Sequence, residues 1–150
     1  MGDFFQNGII ATLHDFESRT TEELEAELKV FSAYRPMEII LPCLFSEFEG
    51  DALPHIVEEI SRTNYLGHVV IGLDCADREQ YEYAYEFFTK LNQPFSVLWN
   101  DGPRLRAIQD ELQDKGLAPT EPGKGRNVWY CIGMVTVSYT HLTLPTNREV

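Results

Sequence analysis

M-E-I-I-L-P-C-L-F-S-E-F-E, residues Met37–Glu49, decides how the rest of the chain is read. Ile39, Ile40 and Leu41 form the short apolar run that a buried strand needs. Pro42 is expected to stop that strand, because proline has no N–H to give a sheet ladder. A polar, acidic loop carrying Ser46, Glu47 and Glu49 is expected next, then an amphipathic helix from about Asp51. Strand, loop and helix in that order open an α/β unit, and such units meet their ligands at the carboxyl ends of their strands.

Downstream the same order repeats. Leu53, Ile56, Val57 and Ile60 fall at i, i+3, i+4 and i+7, so one helix face is apolar. Pro54 is tolerated there only in the first turn. After Gly67, His68–Leu73 reads as a second buried strand ending at Asp74. Arg78–Leu91 reads as a helix with Tyr81, Ala84, Tyr85 and Phe88 inward. Phe95–Trp99 reads as a third strand, ending in Asn100, Asp101 and Gly102. Pro103–Lys115 reads as a helix with Leu105, Ile108 and Leu112 inward, and Gly116 fits its C-terminal cap. The alternation β-α-β-α-β-α calls for a mostly parallel sheet with helices on both faces, a three-layer α/β sandwich. Ile39–Leu41, Val69–Leu73 and Phe95–Leu98 are expected to be adjacent parallel strands. Their polar ends, Ser46 and Glu47, Asp74 and Asp77, Asn100 and Asp101, would then share one edge. Solvated turns would show the same residues.

Upstream, Gly8–Leu13 fits a short strand, and Phe4, Phe5 and Phe16 could dock on the body. Thr20 followed by Glu23 matches a capping box. Glu22–Tyr34 reads as a helix with Leu24, Leu28 and Phe31 on one face, and Pro36 ends it.

The whole chain of 150 residues fits one domain. A net charge of −12 argues against a nucleic-acid backbone or an anionic membrane as partner. It leaves room for a small phosphorylated ligand held by one or two cations and backbone N–H groups. Cys43, Cys75 and Cys131 are isolated, with no C-x-x-C, which indicates neither a disulfide framework nor a zinc knuckle. A reduced, cytoplasmic setting is the simplest expectation. No run approaches the roughly 18–20 apolar residues of a membrane span, and the N-terminus lacks the basic region of a signal peptide. His14, His55, His68 and His141 are scattered without an H-x-x-x-H, so they suggest no metal site. Ser46 lacks a G-x-S-x-G frame and is no nucleophile elbow. Glu22, Glu23, Glu25 and Glu27 read as a solvated helix face. Trp99 and Trp129 read as core before sugar platforms.

Gly123-Lys124-Gly125-Arg126 is the second focal point. Glycines on both sides let backbone approach a ligand, and a lysine between them can neutralise phosphate. It is not a Walker A loop, because the leading glycine and the Ser/Thr after the lysine are missing. Taken alone it is a weak signal, more often just a flexible turn. Asn127–Val137 has strand propensity in Val128, Trp129, Tyr130, Ile132 and Val135.

Two segments resemble the N-terminal part of GT-A glycosyltransferases of the family-2-like group, in particular synthases of the glucosyl-3-phosphoglycerate and mannosylglycerate type. Ile39–Glu47 is similar to the family's strand and loop V-x-P-A-L-N-E-E. Pro122–Gly125 is similar to the family's P-G-K-G, which opens a helix before the metal-binding strand. The resemblance covers roughly Arg35–Val135 and favours a helix over Asn127–Val137. It implies the Rossmann-like nucleotide-binding half of a GT-A fold, and transfer of a hexose from UDP-glucose or GDP-mannose to a small acid acceptor such as 3-phosphoglycerate or glycerate. It places Pro42, Leu44 and Glu47 around the base, Asp74 on the base or ribose, and Lys124 near the phosphates. Phe45 and Ser46 stand where the family has Asn and the first Glu, and Glu47 matches the second.

The resemblance also implies a divalent metal, Mg or Mn, on a D-x-D motif. No D-x-D occurs in this sequence. No catalytic residue and no metal ligand is therefore assigned within the chain. The threonine-rich end, Val137–Val150, does not continue the pattern, and V-S-Y-T-H-L-T-L-P-T reads like a translated transposase sequencing adapter. Residues 1–36 are then an extension with one helix, 37–136 an incomplete nucleotide-sugar-binding domain, and 137–150 a non-native tail. A homodimer is left open. The competing expectation is a non-catalytic, flavodoxin-like α/β module for binding or regulation.

Overall fold

A computed structural model gives the fold and describes residues 19–119 and 121–143. The expected strand at Gly8–Leu13, with Phe4, Phe5, Phe16 and His14, lies outside them, as do residues 144–150. The element order is α1 (Thr21–Tyr34), β1 (Met37–Leu44), a 3-10 turn (Phe45–Glu49), α2 (Ala52–Arg62), β2 (Leu66–Asp74), α3 (Arg78–Phe88), β3 (Phe95–Trp99), α4 (Pro103–Asp114) and α5 (Lys124–Thr143). The three strands form one parallel sheet in the order β1-β2-β3. The fold is α/β and Rossmann-like, and the three apolar runs are adjacent parallel strands as their spacing predicts.

Alternation along the strands sorts side chains into two layers. Ile39, Leu41, Cys43, Val69, Ile71, Leu73, Phe95 and Val97 meet Leu53, Val57 and Ile60 of α2 and Ala84 and Phe88 of α3. This is the main core, and Val69, Ile71, Leu73, Ala84 and Phe88 are fully buried in it. The opposite face is covered by α5 at Gly72, where Asn127 and Cys131 sit against the β2 backbone. The helical reading of Asn127–Val137 is correct. The helix then runs on through Thr143, since propagation costs only one residue's freedom per hydrogen bond.

Several sequence expectations need correction. Pro42 does not stop β1, which pairs onward to Leu44 opposite Asp74. β1 has no partner on its other side among the described residues. Proline is tolerated on such an edge strand, where one side of the backbone has no ladder to supply. The loop after β1 is a 3-10 turn, and not simply polar: Phe48 packs on Phe45, Phe87 and Phe88 at centroid distances of 5.3, 5.1 and 5.8 Å. Those rings hold Ser46, Glu47 and Glu49 outward. The helix expected at Arg78–Leu91 ends at Phe88, and its start is fixed by a capping box between Asp77 and Gln80. Ile56, Tyr85 and Ile108 are exposed rather than inward. Leu105 and Leu112 are only half-buried, because α4 lies at the sheet margin and buries no residue completely.

The helix boundaries follow local chemistry. The Thr20–Glu23 capping box forms as expected, with both reciprocal hydrogen bonds present. Leu24 and Phe31 on that helix are nonetheless exposed. Gly116, at φ +66°, closes α4 with Gly116 N–H on the Gln113 carbonyl and Leu117 N–H on that of Leu112. That left-handed turn is the cap for which glycine is suited. Of the two tryptophans, Trp99 stacks on Tyr81 at 5.0 Å and donates to the Ala76 carbonyl, whereas Trp129 is exposed.

Candidate functional site at the carboxyl edge of the sheet

Asp74 is the last residue of β2 and is 3% exposed. A buried carboxylate needs a partner, and Asp74 has one: Arg126 Nη2 lies 3.2 Å from its Oδ1. The same oxygen accepts the Cys75 N–H. The next residue of the turn, Cys75, has φ +57°. This left-handed conformation is strained for a residue with a Cβ, and such strain gathers in loops that meet ligands.

The end of β3 lies beside it. Asn100 N–H donates to the Leu73 carbonyl and carries the ladder one step past Trp99. Asp101 accepts the Ala76 N–H at 3.1 Å and pairs with Arg106 at 3.2 Å, which ties the β2 turn to the start of α4. Asn100, Asp101, Arg106, Gln109, Pro122 and Arg126 wall an open, polar cavity of about 350 Å³. Asn100 is 2% exposed, and neither atom of its amide has a hydrogen-bond partner among the described residues.

The G-K-G-R turn reaches this edge through α5. Gly123, at φ +142°, turns the chain into the helix. Lys124 opens it and is exposed. Asn127, one turn in, donates to the Gly72 carbonyl at 2.8 Å. The first turn of α5, with its free N–H groups, therefore lies beside the carboxyl end of β2, where an anion would be favoured.

Of the expected site residues, Leu44 and Asp74 stand opposite each other in the sheet register. Asp74 is tied through Arg126 to the turn bearing Lys124. Pro42 lies two residues before Leu44 on the free-edge strand. Glu47 is exposed on the 3-10 turn, and among the described residues no ion pair joins it to Lys124. Arg126 and Asn100 escaped the sequence reading as site residues. The signal for Arg126 was its place in G-K-G-R, and for Asn100 its place at a strand end.

The residues present do not fit a divalent metal. Among the described residues no three His, Cys, Asp or Glu side chains converge. Asp74 and Asp101 are already committed to arginines and backbone N–H groups.

The cysteines differ in environment. Burial, then the charge of Glu47 and a hydrogen bond to it, pushes the Cys43 thiol up to about 12. Burial pushes Cys131 up to about 11. Cys75 is exposed, and its thiol is raised by partial desolvation and by the Asp74 and Asp101 charges, against the pull of Arg126. The thiolate is the reacting form, so a raised pKa suppresses reaction at neutral pH and lets it grow as pH rises. Iodoacetamide is expected to label Cys75 alone in the folded chain, faster with rising pH, and Cys43 and Cys131 only after denaturation. Peptide mass mapping checks this; native labelling of Cys43 would contradict the core packing.

A parallel sheet whose carboxyl edge gathers charged and amide side chains beside a glycine-bounded lysine is a Rossmann-like α/β unit. Over 135 residues the chain is 44% identical to the glucosyl-3-phosphoglycerate synthase of Persephonella marina. Over 136 residues it is 36% identical to the glucosyl-3-phosphoglycerate synthase of Methanococcoides burtonii. Each match takes in 90% of this chain. The resemblance to this group of glycosyltransferases is borne out. The chain spans about a third of these relatives, 34% and 33% of their lengths. No family model and no solved structure matches it. Among the described residues no helix is long and apolar enough to cross a membrane.

Proposed function

We propose that this chain is the nucleotide-binding part of a longer, cytoplasmic glycosyltransferase, one that moves a hexose from UDP-glucose or GDP-mannose to a small acid such as 3-phosphoglycerate. The carrying observation is the Arg126–Asp74 pair, which brings the G-K-G-R turn to the carboxyl end of β2. The likeness to two glucosyl-3-phosphoglycerate synthases supports the same reading. The nucleotide lies along that edge, with Pro42, Leu44 and Glu47 at one end and Asp74 by the base or ribose. Lys124 and the first turn of α5 face the diphosphate. The metal that such transfer uses is held by residues outside this chain.

Lys124 tests the assignment without disturbing the core, because its side chain is exposed. Lys124→Ala is expected to weaken UDP or GDP binding by about 1–3 kcal/mol, the scale of a charge-assisted hydrogen bond. Calorimetric titration measures it. Equal affinity in the variant removes Lys124 from the site. Failure of the unaltered chain to bind either nucleotide counts against the function itself and favours a non-nucleotide binding module.

A further inference from the structure

We propose that Asn100 reads the hydrogen-bonding edge of the nucleobase, a role that rests on the nucleotide-binding function above. Its backbone is held by the bond to the Leu73 carbonyl. The residue borders the cavity at the end of β3, with its amide just beneath the cavity surface. The residue is 2% exposed, yet its Nδ2 and Oδ1 both lack partners among the described residues. Buried amides are almost always satisfied, and an orphan that persists calls for a reason. A second orphan lies in the same wall, the buried Nε–H of Arg126.

Charge selects the ligand chemistry. The two arginines of the wall are each paired, Arg126 with Asp74 and Arg106 with Asp101. Asp110 also borders the cavity. No net positive charge is left over to attract a phosphate. What remains unsatisfied is neutral: an amide N–H₂, an amide oxygen and one further N–H. Their complement is a neutral group carrying donors and acceptors side by side, which is what the edge of a uracil or guanine offers. A site with buried polar groups discriminates strongly against a ligand that leaves them unpaired.

The test compares the unaltered chain with Asn100→Leu, which keeps the branched four-atom side-chain frame and removes both polar atoms, and with Asn100→Asp, which keeps an acceptor and loses the donor. Each is titrated with UDP, GDP and inorganic diphosphate, and each is melted without ligand. Asn100→Leu is expected to melt no lower than the parent, because it removes an unsatisfied amide. It should bind the preferred nucleotide at least tenfold more weakly and diphosphate equally well. Asn100→Asp should change the ratio of UDP to GDP affinity. A Leu variant that melts well below the parent makes Asn100 a structural amide and overturns the proposal. So does a folded Leu variant with unaltered nucleotide affinity, even while the parent's binding upholds the function. A parent that binds neither nucleotide overturns both.

Discussion

Gly72→Ala is expected to destabilise the chain by about 1–3 kcal/mol, although it adds one methyl group. A Cβ at Gly72 would stand 1.7 Å from Asn127 Oδ1 and 2.6 Å from Cys131 Sγ. Neither neighbour is a long, yielding side chain; both are short and ride on the buried face of α5. Relief therefore requires moving the helix. Overpacking of this kind costs about 1–3 kcal/mol. Moving α5 also strains the Asn127–Gly72 hydrogen bond, a contribution of about 1 kcal/mol. The loss of unfolded-state freedom on replacing glycine returns at most about 1 kcal/mol. Urea unfolding should show a lower midpoint with an unchanged slope. Asn127→Ala in the same chain should recover part of the loss, since it clears the closer contact and leaves the Cys131 one. A Gly72→Ala chain within about 0.5 kcal/mol of the parent would mean that α5 does not lie on β2.

That contact also shows where sequence reading reached its limit. The strands were legible because Ile39–Leu41, Val69–Leu73 and Phe95–Leu98 are apolar runs separated by helical periodicity, and periodicity is a local property. The opening of α5 was legible in G-K-G only through the resemblance, since Val128, Trp129, Tyr130 and Ile132 have strand propensity. Packing against β2 overrode that propensity. The pairs that build the site are not local. Asp74 meets Arg126 across 52 positions, and Gly72 meets Asn127 across 55. A glycine inside an apolar strand is a hint of close approach, but it does not say what approaches. Phe45 and Phe48 were hidden for a related reason. Acidic neighbours made the segment read as a solvated loop, while its two rings pack on α3.

The Asp74–Arg126 pair carries the other large expected effect. Both side chains are nearly out of solvent, 4% and 11% exposed. Removing one member strands the other's charge in a poorly hydrated place. Arg126→Met is therefore expected to cost about 3–5 kcal/mol, the scale for breaking a buried pair. The pair itself need not stabilise the fold, because desolvation of both charges offsets their attraction. The geometry agrees: only one guanidinium nitrogen contacts the carboxylate, the Gln109 contact is long at 3.5 Å, and Nε has no partner. Asp74→Asn with Arg126→Met, which leaves no buried charge, should recover most of the loss. Chemical unfolding of the two single variants and the double gives the coupling directly. If the pair is a ligand-site device, the double variant should be nearly as stable as the parent yet weaker for nucleotide, since the G-K-G-R turn keeps its helix but loses its tie to the end of β2. A double variant with parental stability and parental nucleotide affinity would reduce the pair to one of many ways to fill that corner. Strictly additive losses would show that the two charges do not depend on one another, against the 3.2 Å contact.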